Sequence, residues 1–333
     1  MKIIIVTSPN KDLKETGFGS IRSCKHILEA VIRMGYSAAI RVCKTEYDLD
    51  LIAKSKPDLV ILAVKYLALK DDQKIWLTDF FNTNDINYTG STRNVLKFDS
   101  SKVRAKAFLL DKGINTAKYF TALPGQYKTE SDLPLKFPLF VKPSDAANGN
   151  GIDDNSLVLD FKSYEKKVFS LYQAFNQSVL VEEYLNGREF TVAIIEENEK
   201  NLIASAIEII PSESSNSLRI LGARTKKENS EVLLKIQDLD LIRQIKDLAI
   251  SSFKKLGGRD FGRVDIKLNQ ENDCFFMEIN LVPGMTASSS YFPRACNLDL
   301  AMDYDKVIEL IISQGISRIP TKTFQWAYLK SEL

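Results

Sequence analysis

The chain has 333 residues, too many for one small core and suited to two or three domains. With 44% hydrophobic and 26% charged residues it has the composition of an ordinary globular protein. Its formal net charge of +2, with Lys and Arg spread along the chain, excludes strong attraction to nucleic acid or to an acidic membrane.

Met1 leads into "KIIIVTS", a short buried-strand pattern too brief for a signal peptide or a membrane span. The first ninety or so residues alternate strand and helix. A helix from Ser20 to Met34 closes at Gly35, strands "YSAAIRV" and "DLVILAV" follow, then a helix around "DQKIWLTDFF" and a strand "INYTG". This is a parallel α/β pattern. A further helix, "DSSKVRAKAFLLDKG", takes Asp99 or Ser100 as its N-cap and stops at Gly113.

The character then changes. "PLKFPLFVKPS", "SVLVEEYLNG", "REFTVAIIEE" and "LIASAIEII" read as strands with charges at intervals. The polar, weakly periodic "IIPSESSNSLRILGARTKKENSE" reads as a functional or mobile loop. A long helix, "LDLIRQIKDLAISSFKKLGG", leads into a hairpin, and the tail from residue 318 is expected to pack back through Phe324 and Trp326. The four cysteines, Cys24, Cys43, Cys274 and Cys296, lie far apart with no C-x-x-C pair. They predict neither a zinc site nor a disulfide framework and fit a reducing cytosol. The single histidine, His26, falls in an amphipathic stretch and reads as a surface residue, so a histidine base is not expected.

The hairpin is "GRDFGRVDIKLNQENDCFFMEINLVPGMT". Strand alternation places Arg263 and Asp265 on one face and Val264, Ile266 and Leu268 on the other. In the second strand Glu278 and Asn280 share a face, opposite Met277 and Ile279. Paired, the strands bring the four polar residues together. Two carboxylates and an amide oxygen are hard ligands of the kind Mg²⁺ takes while keeping water and phosphates in its other positions. A strand pair with one solvated face is the simpler reading of the same alternation.

Three other stretches carry chemistry. In "FPLFVKPSDAANGNGI" a strand delivers Lys142 and a small-residue loop through Asn148 and Gly149, where backbone N–H groups can approach phosphate oxygens. In "SVLVEEYLNGREFTVAI", Glu182 and Glu183 end one strand and Glu189 opens the next. Adenine can be held by the strand-end backbone near Tyr184 and Leu185, with Glu189 accepting from ribose hydroxyls. Lys102 opens the helix in "DSSKVRAK" and reads equally as a solvated helix charge.

Taken in this order, "VKPS", "VEEYLNGREFTVAI" and "FGRVDIKL…MEINLVPGMTASS" resemble the ATP-grasp superfamily in its D-alanine-D-alanine ligase branch, over about Asp99 to Arg294. The resemblance implies an α/β chain of the ATP-grasp fold. A parallel N-terminal domain (1–97) would precede two α+β lobes, central (98–184) and C-terminal (185–333), that enclose the nucleotide. It places Lys102 and Lys142 at phosphate, Glu182, Glu183, Tyr184, Leu185 and Glu189 at the nucleotide, and Asp265, Glu278 and Asn280 at Mg²⁺. Arg263 would stabilise the oxyanion, and Ser289 would anchor the acceptor carboxylate.

The departures from that pattern lie chiefly in the N-terminal domain. "LKETGFGSIRS" offers Glu15 for the first substrate's ammonium, with Ser20 one place out of step with the family's Glu-x-x-x-Ser. The His-Gly-x-x-Gly-Glu loop is missing, and "VILAVKYLALKDDQ" stands where it belongs. The paired serines of the glycine loop are replaced by Asn148 and Gly149, and Arg224 is the nearest candidate for the lysine of the long loop. The expected activity is ATP-dependent joining of two amino acids through an acyl phosphate. ATP and Mg²⁺ are the implied cofactors, two ions, with Mn²⁺ as an alternative. The expected partners are small amino-acid substrates, not nucleic acid or membrane, with a homodimer left open. A different amino-acid pair, or a nucleotide-binding scaffold without catalysis, are the alternatives.

Overall fold

The structure is a computed structural model that describes residues 1–9, 18–69, 73–146, 149–198, 201–213 and 219–319. Glu15, Asn148 and the tail with Phe324 and Trp326 lie outside the described residues.

The N-terminal region runs β1 (Lys2–Thr7), α1 (Ile21–Arg33), β2 (Ser37–Val42), α2 (Glu46–Lys54) and β3 (Leu59–Leu62). The three strands are parallel in the order β2-β1-β3. Strand β1 is apolar on both faces because both are covered. Ile3 and Ile5 pack with Ile27 and Val31 of α1, while Ile4 and Val6 pack with Leu49 and Ile52 of α2. Ser20 caps α1 by accepting the Ser23 N–H, and Gly35 ends that turn at a φ of 85°.

The helix expected around "DQKIWLTDFF" forms only in its second half. Strand β4 (Tyr66–Ala68) pairs with β5 (Lys74–Trp76), and α3 (Leu77–Thr83) starts after it. Tyr66 and Trp76 face each other across this hairpin with ring centroids 5.4 Å apart, a cross-strand pair that outweighs helical propensity. "INYTG" gives a single parallel bridge from Tyr88 to Val60 and no strand. Helix α4 (Arg93–Asp99) then precedes α5 (Lys102–Asp111), and the N-cap of α5 is Ser101, one residue beyond the expected pair. Asp99 ends α4 and turns its carboxylate to the Leu281 and Val282 N–H groups at 2.7 and 3.3 Å.

The central sheet contains β6 (Tyr119–Ala122), β7 (Leu139–Pro143), β8 (Leu157–Val158) and, after α6 (Phe161–Phe175), β9 (Val179–Glu183). It is antiparallel in the order β6-β9-β7-β8 and has its own core against α6, with Val141, Val168, Leu171 and Val181. The C-terminal part runs β10 (Glu189–Asn198), β11 (Asn201–Ile210), α7 (Ala223–Glu228), β12 (Val232–Lys235), α8 (Leu239–Leu256), β13 (Phe261–Leu268), β14 (Cys274–Asn280), α9 (Tyr291–Leu300) and α10 (Tyr304–Ser317). Its five strands are antiparallel in the order β12-β11-β10-β13-β14. One apolar core joins this sheet to the α1 face of the parallel sheet. The approach is close enough that a Cβ on Gly315 of α10 would lie 2.6 Å from Leu59 Cδ1.

The β13–β14 pair departs from simple alternation. Arg263 faces Asn280 and Asp265 faces Glu278, but Ile266 faces Phe276, so the register shifts between them. The extra residue is Met277, a β-bulge. Phe276 and Ile279 both remain in the core, while Met277 lines a cleft with Glu278 instead of lying opposite it.

Candidate active site

A cleft runs between the central and C-terminal sheets. At its inner wall β7 places Lys142 and β9 places Glu182, both buried. The Lys142 ammonium lies 2.6 Å from Glu182 Oε2, and Lys106 of α5 lies 2.7 Å from Oε1. Burial pushes the Lys106 pKa down. Burial would raise the Glu182 carboxyl, but the two lysines outweigh it and hold it below the ordinary range. Glu182 thus has both oxygens engaged by protein cations. Lys106 was missed in the sequence, although it follows Lys102 by one helical turn on α5.

Tyr184, Leu185, Glu189, Ile220 and Met277 line the same cleft. The Tyr184 N–H already donates to the Pro138 carbonyl at 3.2 Å. Glu183 Oε1 accepts the Lys118 N–H at 2.7 Å, which turns this carboxylate to its own strand's neighbour. Glu189 faces Lys267 across β10 and β13, with 3.4 Å between Glu189 Oε2 and Lys267 Nζ.

Two loops meet over the cleft. Gly149, at a φ of 72°, comes so near the Gly222 backbone that a Cβ would lie 3.0 Å from its carbonyl carbon, and the Ala223 N–H donates to the Ile152 carbonyl at 3.3 Å. The long polar segment therefore contains a short helix, α7, seated at the site. Arg224 on that helix is exposed and lines neither this cleft nor the cavity on the other side of Glu278 and Asn280. Lys226, two residues on, lines both, and no pattern in the sequence separated it from its charged neighbours.

Further in, Arg263, Asp265, Glu278 and Asn280 converge. Arg263 Nε and Nη2 donate to Asp265 at 3.0 and 2.9 Å, and Thr191 Oγ1 donates to Asp265 Oδ1 at 2.6 Å. Burial opposes the Arg263 charge, yet Asp265 and Glu278 more than offset it and raise its pKa. Burial likewise opposes the Glu278 charge, and Lys102, Lys226, Lys142 and Arg263 together hold its carboxyl well below the ordinary range. Lys102 lies 3.2 Å from Glu278 Oε2 and donates to the Ala146 carbonyl at 2.8 Å. Among the described residues no three His, Cys, Asp or Glu side chains converge as a metal cage. Two carboxylates and an amide on adjacent strands, ringed by cations, do fit an ion whose remaining positions are filled by triphosphate oxygens.

A second cavity opens on the other side of Glu278 and Asn280, reaching Ser20, Lys65, Ser289 and Tyr291. The loop between β14 and α9 forms one wall and is held by α1. Ser23 and Thr286 hydroxyls are 2.6 Å apart, and the Ala287 N–H donates to His26 Nδ1 at 3.1 Å. His26 is thus a partly buried anchor for the loop that carries Ser289, not a free surface residue.

The sequence model of the family described as "D-ala D-ala ligase C-terminus" matches residues 108–313, more than half of the chain. A D-alanine–D-alanine ligase of Aquifex aeolicus is 26% identical over 324 residues, covering 94% of this chain and 100% of that protein. One from Thermotoga maritima is 27% identical over 299 residues, covering 89% and 92%. The crystal structure of D-alanine–D-alanine ligase from Bacillus anthracis complexed with ATP superposes with a TM-score of 0.74 at 20% identity, covering 95% of this chain and 98% of that one. That likeness shows the ATP-grasp fold. By the family match and the fold together, the chain belongs to the D-alanine–D-alanine ligase family of the ATP-grasp fold.

Proposed function

We propose that the protein is an ATP-dependent ligase that forms a peptide bond between two amino acids, with D-alanine in both positions as in the names of its relatives. The observation that carries this reading is the convergence of Arg263, Asp265, Glu278 and Asn280 with Lys102, Lys142 and Lys226 where two cavities meet. One cavity carries the strand-end residues Tyr184, Leu185 and Glu189 suited to a nucleotide; the other is lined mainly by polar and charged side chains suited to an amino acid.

The donor carboxylate attacks the γ-phosphorus of ATP, giving an acyl phosphate and ADP. The acceptor amine then attacks the acyl carbon, phosphate leaves, and the amine loses a proton. Catalysis of this kind is chiefly positioning and charge stabilisation. Lys102, Lys142 and Lys226 bind the triphosphate, and Gly149 lets the loop backbone approach it. Tyr184, Leu185 and Glu189 receive adenosine. Asp265, Glu278 and Asn280 would hold Mg²⁺, which when bound offsets triphosphate charge. Arg263, stacked over the Tyr291 ring at 5.5 Å, holds the oxyanion of the second step. Ser289 anchors the acceptor carboxylate. The domain limits proposed from the sequence, 1–97, 98–184 and 185–333, assign ATP to the second and third.

A donor other than D-alanine is the second reading. Among the described residues, the carboxylates lining the amino-acid cavity are Asp99 and Glu278, and each is already in an ion pair with a lysine. ADP release measured over paired D- and L-amino acids, with mass spectrometry of the product, decides between them. D-alanyl-D-alanine as the main product establishes the first reading; ADP release only with other pairs establishes the second. No ADP release with any pair sinks the ligase assignment.

A further inference from the structure

One lysine in the amino-acid cavity has no task in the reaction as derived above. Lys65 follows β3 in the stretch that replaces the family's His-Gly-x-x-Gly-Glu loop, and it is 2% exposed. Its ammonium lies 3.1 Å from Asp99 Oδ1 and 3.0 Å from Ser100 Oγ. It lines the amino-acid cavity and also the smaller space beside it where Lys102, Glu278 and Asn280 meet. An ammonium has three N–H donors, so these two bonds leave one for the space it faces.

Asp99 does not depend on Lys65 alone, since its Oδ2 accepts from the Leu281 and Val282 N–H groups. A tether between β3 and α4 could be made by neutral groups at less cost, because burying an ammonium carries a desolvation penalty that one shared carboxylate offsets only in part. The position of Lys65 supplies a reason for the charge. It stands between the phosphate-binding cations and the amino-acid cavity, where the donor's reacting carboxylate must lie to reach ATP.

The geometry points to Lys65 as a specificity-determining residue of the donor subsite, its ammonium binding the reacting carboxylate of the donor. This rests on the ligase reading given above.

The test is calorimetric titration of D-alanine into protein saturated with a non-hydrolysable ATP analogue, for the parent and for Lys65→Met, Lys65→Arg, Asp99→Asn and Ser289→Ala. D-alanine has two sites on this reading, and Ser289→Ala identifies the acceptor one. Lys65→Met should weaken the other site about tenfold or more and leave nucleotide affinity unchanged, which also shows that the variant is folded. Lys65→Arg should retain binding to within about threefold. Asp99→Asn keeps an oxygen for the two backbone N–H groups and releases Lys65, so it should bind D-alanine at least as tightly as the parent. Parent-like binding by Lys65→Met overturns the proposal. So does equal weakening by Lys65→Met and Asp99→Asn, the mark of a tether. If the parent takes no D-alanine, the same titration is run with glycine, L-alanine and D-lactate. Lys65-dependent binding of any of these upholds the role and refutes D-alanine as donor, and Lys65-independent binding overturns the role. A nucleotide-loaded parent that binds none of the acids overturns both readings.

Discussion

The Lys106 ammonium lies 2.7 Å from Glu182 Oε1, and both groups are shut off from solvent. Lys106 also donates to Thr116 Oγ1 at 2.7 Å and to the Phe276 carbonyl at 3.3 Å, so it ties the inner wall of the nucleotide cleft to β14. Because Lys142 holds the other Glu182 oxygen, a change at Lys106 is felt at Lys142, the residue proposed above to bind phosphate.

Lys106→Met should lower stability by about 3–5 kcal/mol, as the loss of one partner from a buried ion pair does. It should also weaken ATP binding, since Lys142 becomes the sole counter-charge of Glu182. Glu182→Gln should cost less stability in the Lys106→Met background than in the parent, because only the Lys142 contact then remains to be lost. Denaturation midpoints of the parent, the two single variants and the double variant check this, and equal costs in the two backgrounds would refute it.

The same carboxylate sets an acid limit. Its folded-state pKa lies below the ordinary value of 4.5, so its stabilisation is complete above that value and is lost as pH falls through the folded pKa. Glu182→Gln should therefore be less stable than the parent at pH 7 and lose less of its melting temperature as pH is lowered from 5 to 3. The acid limb should shrink without vanishing, because Glu278 is depressed as well. Parallel melting curves over this range would remove Glu182 as a source of the acid dependence.

Exchanging one cation for another on α7 separates geometry from sequence pattern. Lys226→Ala should raise the ATP KM and reduce turnover by about tenfold or more, a loss of one charge-assisted contact. Arg224→Ala, at an exposed position, should remain within about twofold of the parent. The reverse order of effects in steady-state ADP release would return the role to Arg224.

Glu278→Gln preserves shape but removes the anion encircled by Lys102, Lys226, Lys142 and Arg263. Turnover should fall by about a hundredfold or more, equivalent to ~3 kcal/mol of transition-state stabilisation. Near-normal ADP release would sink the metal assignment.

His26→Ala should act on the acceptor alone. It removes the acceptor of the Ala287 N–H and loosens the loop that carries Ser289, so the acceptor KM should rise severalfold while the ATP KM stays put. An equal rise in both would mean that the helix, and not the loop, had been disturbed.

The placement of the residues proposed for ATP was legible where strand alternation leaves local marks: Lys142, Glu189, Arg263 and Asp265 sit on β7, β10 and β13, where periodicity puts them. What escaped depends on contacts distant in sequence. Lys106 reads as one more helical lysine until Glu182, far along the chain, lies against it. His26 reads as a surface residue because Ala287, which it anchors, is 261 positions away. Lys226 could not be told from its basic neighbours without the turn of α7. Lys74–Trp76 were taken for helix because the pairing of Tyr66 with Trp76 is invisible to a local pattern.

The bulge at Met277 changes what kind of editing the hairpin can absorb. Removing one residue from a strand ordinarily exchanges its inside and outside from that point on. Here the strand already contains one residue more than strict alternation allows, so excising Met277 would bring Phe276 and Glu278 into an ordinary two-residue repeat and leave both on the faces they now occupy. The edit would take away the Met277 thioether from the cleft lining and leave Glu278 and Asn280 in place. The two ends of β14 are in that sense separately set: the stretch through Phe276 follows one register and the stretch from Glu278 another, and the spare residue between them is where length can vary without exchanging the faces of either.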